Sequence, residues 1–137
     1  MTFPDFTYED IQAFAHDYFE QIQRARESID HNSLNDAVML LTEAYEQRAT
    51  VYVCGNGGSA AISNHLVCDH LKGVQSDTNI RPRVISLLSN VETITAIAND
   101  ISYDDIFVYQ FSTMAQPGDI LITISSSGDS ENIVRAI

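Results

Sequence analysis

Three stretches of this chain carry residue types that can do chemistry. The first is Gly55-Asn56-Gly57-Gly58-Ser59, directly behind the apolar, β-favouring run Val51-Tyr52-Val53-Cys54. A strand that ends in glycines and reopens as a helix gathers backbone N–H groups at a helix N-terminus, which suits an anion such as phosphate. The loop lacks the Gly-Lys-Ser/Thr ending of a nucleotide P-loop and does not fit Gly-x-Gly-x-x-Gly. The plain alternative is a tight strand-to-helix turn with no ligand. The second stretch, Ser125-Ser126-Ser127-Gly128-Asp129-Ser130, repeats that grammar behind the apolar run Ile120 to Ile124. Hydroxyls at a strand's carboxyl end are neutral phosphate ligands; Ser130 or Asp129 can equally cap the next helix. Two such loops are what a parallel sheet with a ligand crevice at its strand ends contains.

The third stretch holds His65 and Asp69, four apart on the segment behind the glycine loop, with Lys72 on the same side. At that spacing the two side chains share a helix face. They can supply two metal ligands, an acid–base pair, or an ordinary helical His–Asp hydrogen bond. They stand about 10–15 Å from the helix start by helix rise.

The elements that must position these groups follow from periodicity. Tyr8 to about Ile29 reads as an amphipathic helix, with Thr7 as the N-cap. Its aromatic face either packs on its own domain or forms a subunit interface. A second helix spans about Leu34 to Arg48, capped by Asn32 or Ser33, while His16 and His31 sit in polar, solvated surroundings. The first strand covers Thr50 to Cys54 and a helix follows over Ala60 to Lys72. Gly73 to Pro82 reads as a polar linker and Arg83 to Leu88 as the second strand. Ser89-Asn90 caps a helix from Val91 to about Ala98, which Asn99-Asp100 ends. Another helix runs from Tyr103 to Ala115, then the third strand, Ile120 to Ile124, and a last helix from about Glu131. This alternation predicts an α/β fold with a doubly wound parallel sheet. The expected organisation is a helical segment over 1–48 and a sheet domain over 49–137. Three strands are few for such a sheet, so the chain reads as the front part of a longer domain.

Composition narrows the partners. The chain has 137 residues and a formal net charge of −12, from 7 basic and 19 acidic residues. That balance tells against a nucleic-acid groove and against docking on anionic membranes. It permits phosphate binding where amides and hydroxyls do the work. No apolar run approaches spanning length. The N-terminus carries no basic stretch of the secretory kind. Cys54 and Cys68 form no Cys-x-x-Cys pair and read as reduced, buried residues of a cytosolic protein.

Cys54 to Ser59, His65, Ala96-Ile97-Ala98-Asn99-Asp100, and Gly118 to Ser130 together resemble the sugar isomerase (SIS) domain, in the branch of the bacterial phosphoheptose isomerases. The resemblance covers nearly the whole chain and implies a flavodoxin-like three-layer fold. It implies aldose–ketose isomerisation of a heptose phosphate, of the sedoheptulose 7-phosphate type, through an enediol. Asn56, Gly57, Gly58 and Ser59 then match the first substrate loop, and Ser125, Ser126, Ser127 and Ser130 the phosphate loop. Asn99 and Asp100 match a substrate-contacting pair. His65 matches a zinc ligand, and Asp69 stands where the family has a glutamate that is zinc ligand and catalytic base. The resemblance further implies one zinc ion per site and a cytoplasmic homotetramer with sites between subunits. Two departures stand out. Asp69 is one methylene shorter than glutamate, and the family's remaining glutamine and histidine fall beyond Ile137. A non-catalytic branch of the same domain, a sugar-phosphate sensor or a scaffold like the bacterial replication-initiator-associating protein, is the alternative.

Overall fold

A computed structural model describes residues 3, 4 and 6–137. Residue contacts divide the chain into two units, 1–38 and 39–137.

In the first unit, α1 runs over Ile11–Glu27. It starts later than periodicity suggests, because Asp10 rather than Thr7 is the N-cap: its carboxylate accepts from the Ala13 amide at 2.8 Å. Arg24 and Arg26 occupy the last turn, where cations complement the helix dipole. Phe3, Phe14 and Tyr18 pack ring against ring, with centroids 5.5–6.0 Å apart. Tyr8 donates to Asp17 beside them. Ile11 and Phe19 remain 78% and 68% exposed, so this unit leaves apolar surface uncovered. His16 and His31 are exposed, as their surroundings suggest. The second helix, α2, is His31–Glu46. Asp30, not Asn32 or Ser33, closes its start. Its two carboxylate oxygens accept from the Asn32 amide at 3.0 Å and the Ser33 hydroxyl at 2.7 Å.

The second unit is built on three parallel strands: β1 (Thr50–Gly55), β2 (Arg83–Ser86) and β3 (Ile120–Ile124), in the order β2-β1-β3. All of β1 is buried because it is central and covered on both faces. Its side chains alternate between two layers. Val51 and Val53 join Val84, Leu41, Tyr45, Leu66 and Val67, on the side of α2 and α3 (Gly58–Cys68). Tyr52 and Cys54 join Leu87, Ile97, Ile106, Phe107 and Ile133, on the side of α5 (Val91–Asp100), α6 (Val108–Met114) and α7 (Glu131–Val134). The sheet is therefore doubly wound with helices on both faces, and β3 has the bounds its sequence indicates.

Three further expectations need correction. The segment behind the glycine loop does not end in a polar linker at Gly73. Past Cys68 the backbone widens into a π-helical turn, Asp69–Val74, and continues as the short α4, Gln75–Asp77. A glycine among polar residues reads as a stop, and periodicity has no signature for a wider turn. The single helix expected over Tyr103 to Ala115 is a 3₁₀ turn, Tyr103–Asp105, followed by α6. Ser102 caps the start of that 3₁₀ turn by accepting from the Asp104 amide at 3.0 Å. Cys54 is buried as expected, whereas Cys68 is exposed at the end of α3.

Candidate functional site

Register sets the geometry of the two loops. Gly55 of β1 is paired with Ile124 of β3, so Asn56 and Ser125 leave the sheet side by side. A Cβ on Gly55 would lie 2.8 Å from both the Ile124 carbonyl oxygen and the Ser59 Cβ, so only glycine permits this approach of strand, neighbour and helix. Gly57 and Gly128 take positive φ values of 53° and 76°, which turn the chain out of each strand. One further bond ties α3 to the sheet: the Ser86 hydroxyl, at the end of β2, donates to Asn64 Oδ1 at 2.6 Å. Within α3 the buried Ser63 hydroxyl is satisfied by the Ser59 carbonyl at 2.9 Å.

The glycine loop presents amides. Ser59 N donates to the Asn56 carbonyl at 2.9 Å and Ala60 N to the Gly57 carbonyl at 3.1 Å. The Gly57 and Gly58 amides, at the opening of an eleven-residue helix, have no acceptor among the described residues. The serine loop presents hydroxyls. Ser125 Oγ accepts from the Gly128 amide at 3.0 Å and lies 3.4 Å from Ser127 Oγ. The hydroxyls of Ser126, which is exposed, and of half-buried Ser130 have no intramolecular partner among the described residues. Ser130 stands at the N-cap of α7 but makes no side-chain cap bond there. Free amides on one loop and free hydroxyls on its neighbour are donors for an anion.

Sequence reasoning did not find Asn132. Its buried carboxamide pairs with that of Asn56, donating to Asn56 Oδ1 at 2.9 Å and accepting from Asn56 Nδ2 at 2.8 Å. The Tyr103 hydroxyl also donates to Asn56 Oδ1, at 3.2 Å. No local pattern marks this contact, because its partners lie 76 and 47 residues apart.

The other candidates are less closely joined. Asn99 donates to Asp100 at 2.7 Å at the exposed end of α5, and Tyr103 rather than this pair reaches the glycine loop. His65 Nε2 and Asp69 Oδ1 are 3.5 Å apart, with side chains 74% and 63% exposed. Such an exposed pair contributes little to stability and leaves both groups open to solvent. Next to Asp69, His70 turns inward: its Nδ1 meets the Leu66 carbonyl at 2.8 Å and its ring lies 6.0 Å from that of Tyr45. Among the described residues no three histidine, cysteine or acidic side chains form a group that could hold a metal ion. A zinc ion needs four donors, so this chain's described residues do not by themselves make its site. A cavity of about 460 Å³ runs along β2 and is lined by Ile85, Thr93, Ile97, Tyr109 and Met114 among others. Among the described residues no helix is long and apolar enough to cross a membrane.

Comparison with known proteins agrees with this geometry. The chain is 38% identical over 129 residues to the phosphoheptose isomerase of Alteromonas mediterranea, covering 93% of this chain and 65% of that protein. It is 38% identical over 121 residues to a probable phosphoheptose isomerase of Thermoplasma volcanium, covering 88% and 61%. The solved phosphoheptose isomerase of Neisseria gonorrhoeae superposes with a TM-score of 0.79 at 28% identity, over 93% of this chain and 67% of that one. That of Francisella tularensis gives 0.78 at 34%, over 89% and 65%. The chain thus spans about 65% of the first curated relative's length. Residues 17–137 match the SIS domain family, and with the doubly wound sheet and its two paired loops the chain belongs to that family.

Proposed function

We propose that this chain is a sugar-phosphate isomerase acting on a heptose phosphate of the sedoheptulose 7-phosphate type. The adjacency of the two loops carries this reading: the amides of Gly57 and Gly58 and the hydroxyls of Ser126 and Ser130 stand at neighbouring strand ends. Such donors hold a phosphate without cationic side chains, which explains how a chain of net charge −12 takes an anionic substrate. The relatives' names support the isomerase over the non-catalytic scaffold.

With the phosphate anchored at one end, binding energy orients the sugar at the other. Isomerisation removes a proton from the hydroxyl-bearing carbon next to the carbonyl while the carbonyl oxygen gains one, giving an enediol. The other hydroxyl then loses its proton as a new carbonyl forms, and the former carbonyl carbon takes up a proton. Asp69 is the proposed base and His65 its partner, with Asn99 and Asp100 contacting the sugar hydroxyls. A base must come within hydrogen-bond reach of the proton it takes. The exposure of His65 and Asp69 supports completion of the site by a second subunit, in a cytoplasmic homotetramer joined through the apolar face of α1. A zinc ion at His65 and Asp69 would require donors from outside the described residues of one chain, and would polarise the substrate carbonyl.

The test is incubation of the full-length protein with sedoheptulose 7-phosphate, with and without added zinc, followed by analysis for the aldose phosphate. Conversion supports the proposal. Failure to turn over any ketose phosphate, with tight phosphosugar binding or capture of a protein partner instead, favours the non-catalytic alternative.

A further inference from the structure

We propose that Asn132 and Tyr103 are positioning residues, and that the Asn56 side chain serves with them as a tie rather than as a ligand for the sugar. The proposal rests on the phosphosugar reading only for its functional readout. Asn56 and Asn132 exchange two hydrogen bonds, at 2.8 and 2.9 Å, so both the distance and the mutual orientation of their amides are fixed. The Tyr103 hydroxyl occupies the second acceptor direction of Asn56 Oδ1 at 3.2 Å. That oxygen therefore has no capacity left for a sugar hydroxyl. Asn132 is only 2% exposed, so water does not readily replace a lost partner there.

The tie joins three segments that chain connectivity leaves independent. Asn56 belongs to the glycine loop, Asn132 follows the serine loop by two residues, and Tyr103 opens the 3₁₀ turn behind Asn99 and Asp100. Arg135 adds a second link between the same helix and turn, at 3.1 Å from Asp105 and 3.7 Å from Asp104. Displacing the serine loop from the glycine amides therefore breaks the paired bonds between Asn56 and buried Asn132. The anion donors keep their spacing before any ligand arrives.

A double-mutant cycle read by two methods tests this. In calorimetric titration with sedoheptulose 7-phosphate, Asn56→Ala and Asn132→Ala should each weaken binding about tenfold. The double variant should lose no more than about twofold beyond either, because both remove the same contact. Tyr103→Phe should cost about twofold. Multiplicative losses approaching a hundredfold in the double variant would place Asn56 on the sugar and overturn the tie. The second readout needs no ligand. Asn132→Ala should speed amide hydrogen exchange at Ser59, Ala60 and Ala61 about tenfold while Val51 to Val53 keep their protection. Unchanged exchange at those amides overturns the tie whether or not sugar binds. A wild-type chain that shows the exchange response but binds no phosphosugar overturns the proposed function and leaves the tie standing.

Discussion

Gly55 and Ile124 are partners in register, and the gap between them is too small for a methyl group: a Cβ on Gly55 would sit 2.8 Å from the Ile124 carbonyl oxygen. This closeness brings the two loops out of the sheet together. Gly55→Ala should therefore destabilise the fold by about 1–3 kcal/mol, as overpacking does. It should also separate the loops, lowering phosphosugar affinity in the fraction that folds. Chemical denaturation and calorimetry measure the two effects. An unchanged denaturation midpoint would mean that the approach is looser than described.

Opposite the loops, Asp119 organises the other end of the sheet. Its carboxylate accepts from the Thr50 amide at 2.6 Å and from the Gln116 amide at 2.8 Å. Thr50 is buried, so Asp119→Ala leaves an amide without a partner and should cost about 1–3 kcal/mol. The urea midpoint should fall with little change in slope. Phosphosugar affinity of the folded protein should stay close to that of the wild type, because no anion donor is touched.

The two cysteines should behave oppositely. Burial among the Tyr52, Leu87 and Phe107 side chains pushes the Cys54 thiol up to about 11, while Cys68 is exposed. At pH 8 an alkylating reagent should modify Cys68 alone, and Cys54 only after unfolding, as read by mass spectrometry. The raised value favours the neutral thiol in the folded state. Its contribution to stability is constant below the unfolded thiol's ordinary range. It is lost as pH climbs from that range through about 11. Equal labelling of both cysteines in the native protein would contradict the buried placement.

Removal of hydroxyls from the serine loop should weaken ligand rather than fold. Ser126 and Ser127 are exposed, and Ser126 Oγ has no intramolecular partner among the described residues. Ser126→Ala with Ser127→Ala should cost about 1–3 kcal/mol of phosphosugar affinity, since hydrogen bonds to a charged acceptor are lost. The melting temperature should hardly move. Unchanged affinity by calorimetry would count against the phosphate assignment.

Local chemistry explains what could be read from the sequence. Strand β3 keeps its expected bounds because Ile120 to Ile124 is a compact apolar run between turn residues. Asn90 caps α5 as expected, accepting from the Thr93 amide at 2.8 Å. The glycine and serine loops were legible because each follows a strand signal directly. What was missed depends on the fold. Asn132 looks like any polar residue in a first helical turn, and only strand order brings it to Asn56. The wide turn at Asp69–Val74 has no period in the sequence to announce it. Asp10 and Thr7 both satisfy the capping pattern, and bond geometry chose Asp10.

The central claim is that one anion is held by both loops at once. Its most direct test is titration of the isotopically labelled chain with sedoheptulose 7-phosphate, following amide resonances. The account predicts that Gly57, Gly58 and Ser59 shift together with Ser126, Ser127 and Ser130, along one saturation curve. Shifts confined to other residues, or the two loops responding with different affinities, would contradict it.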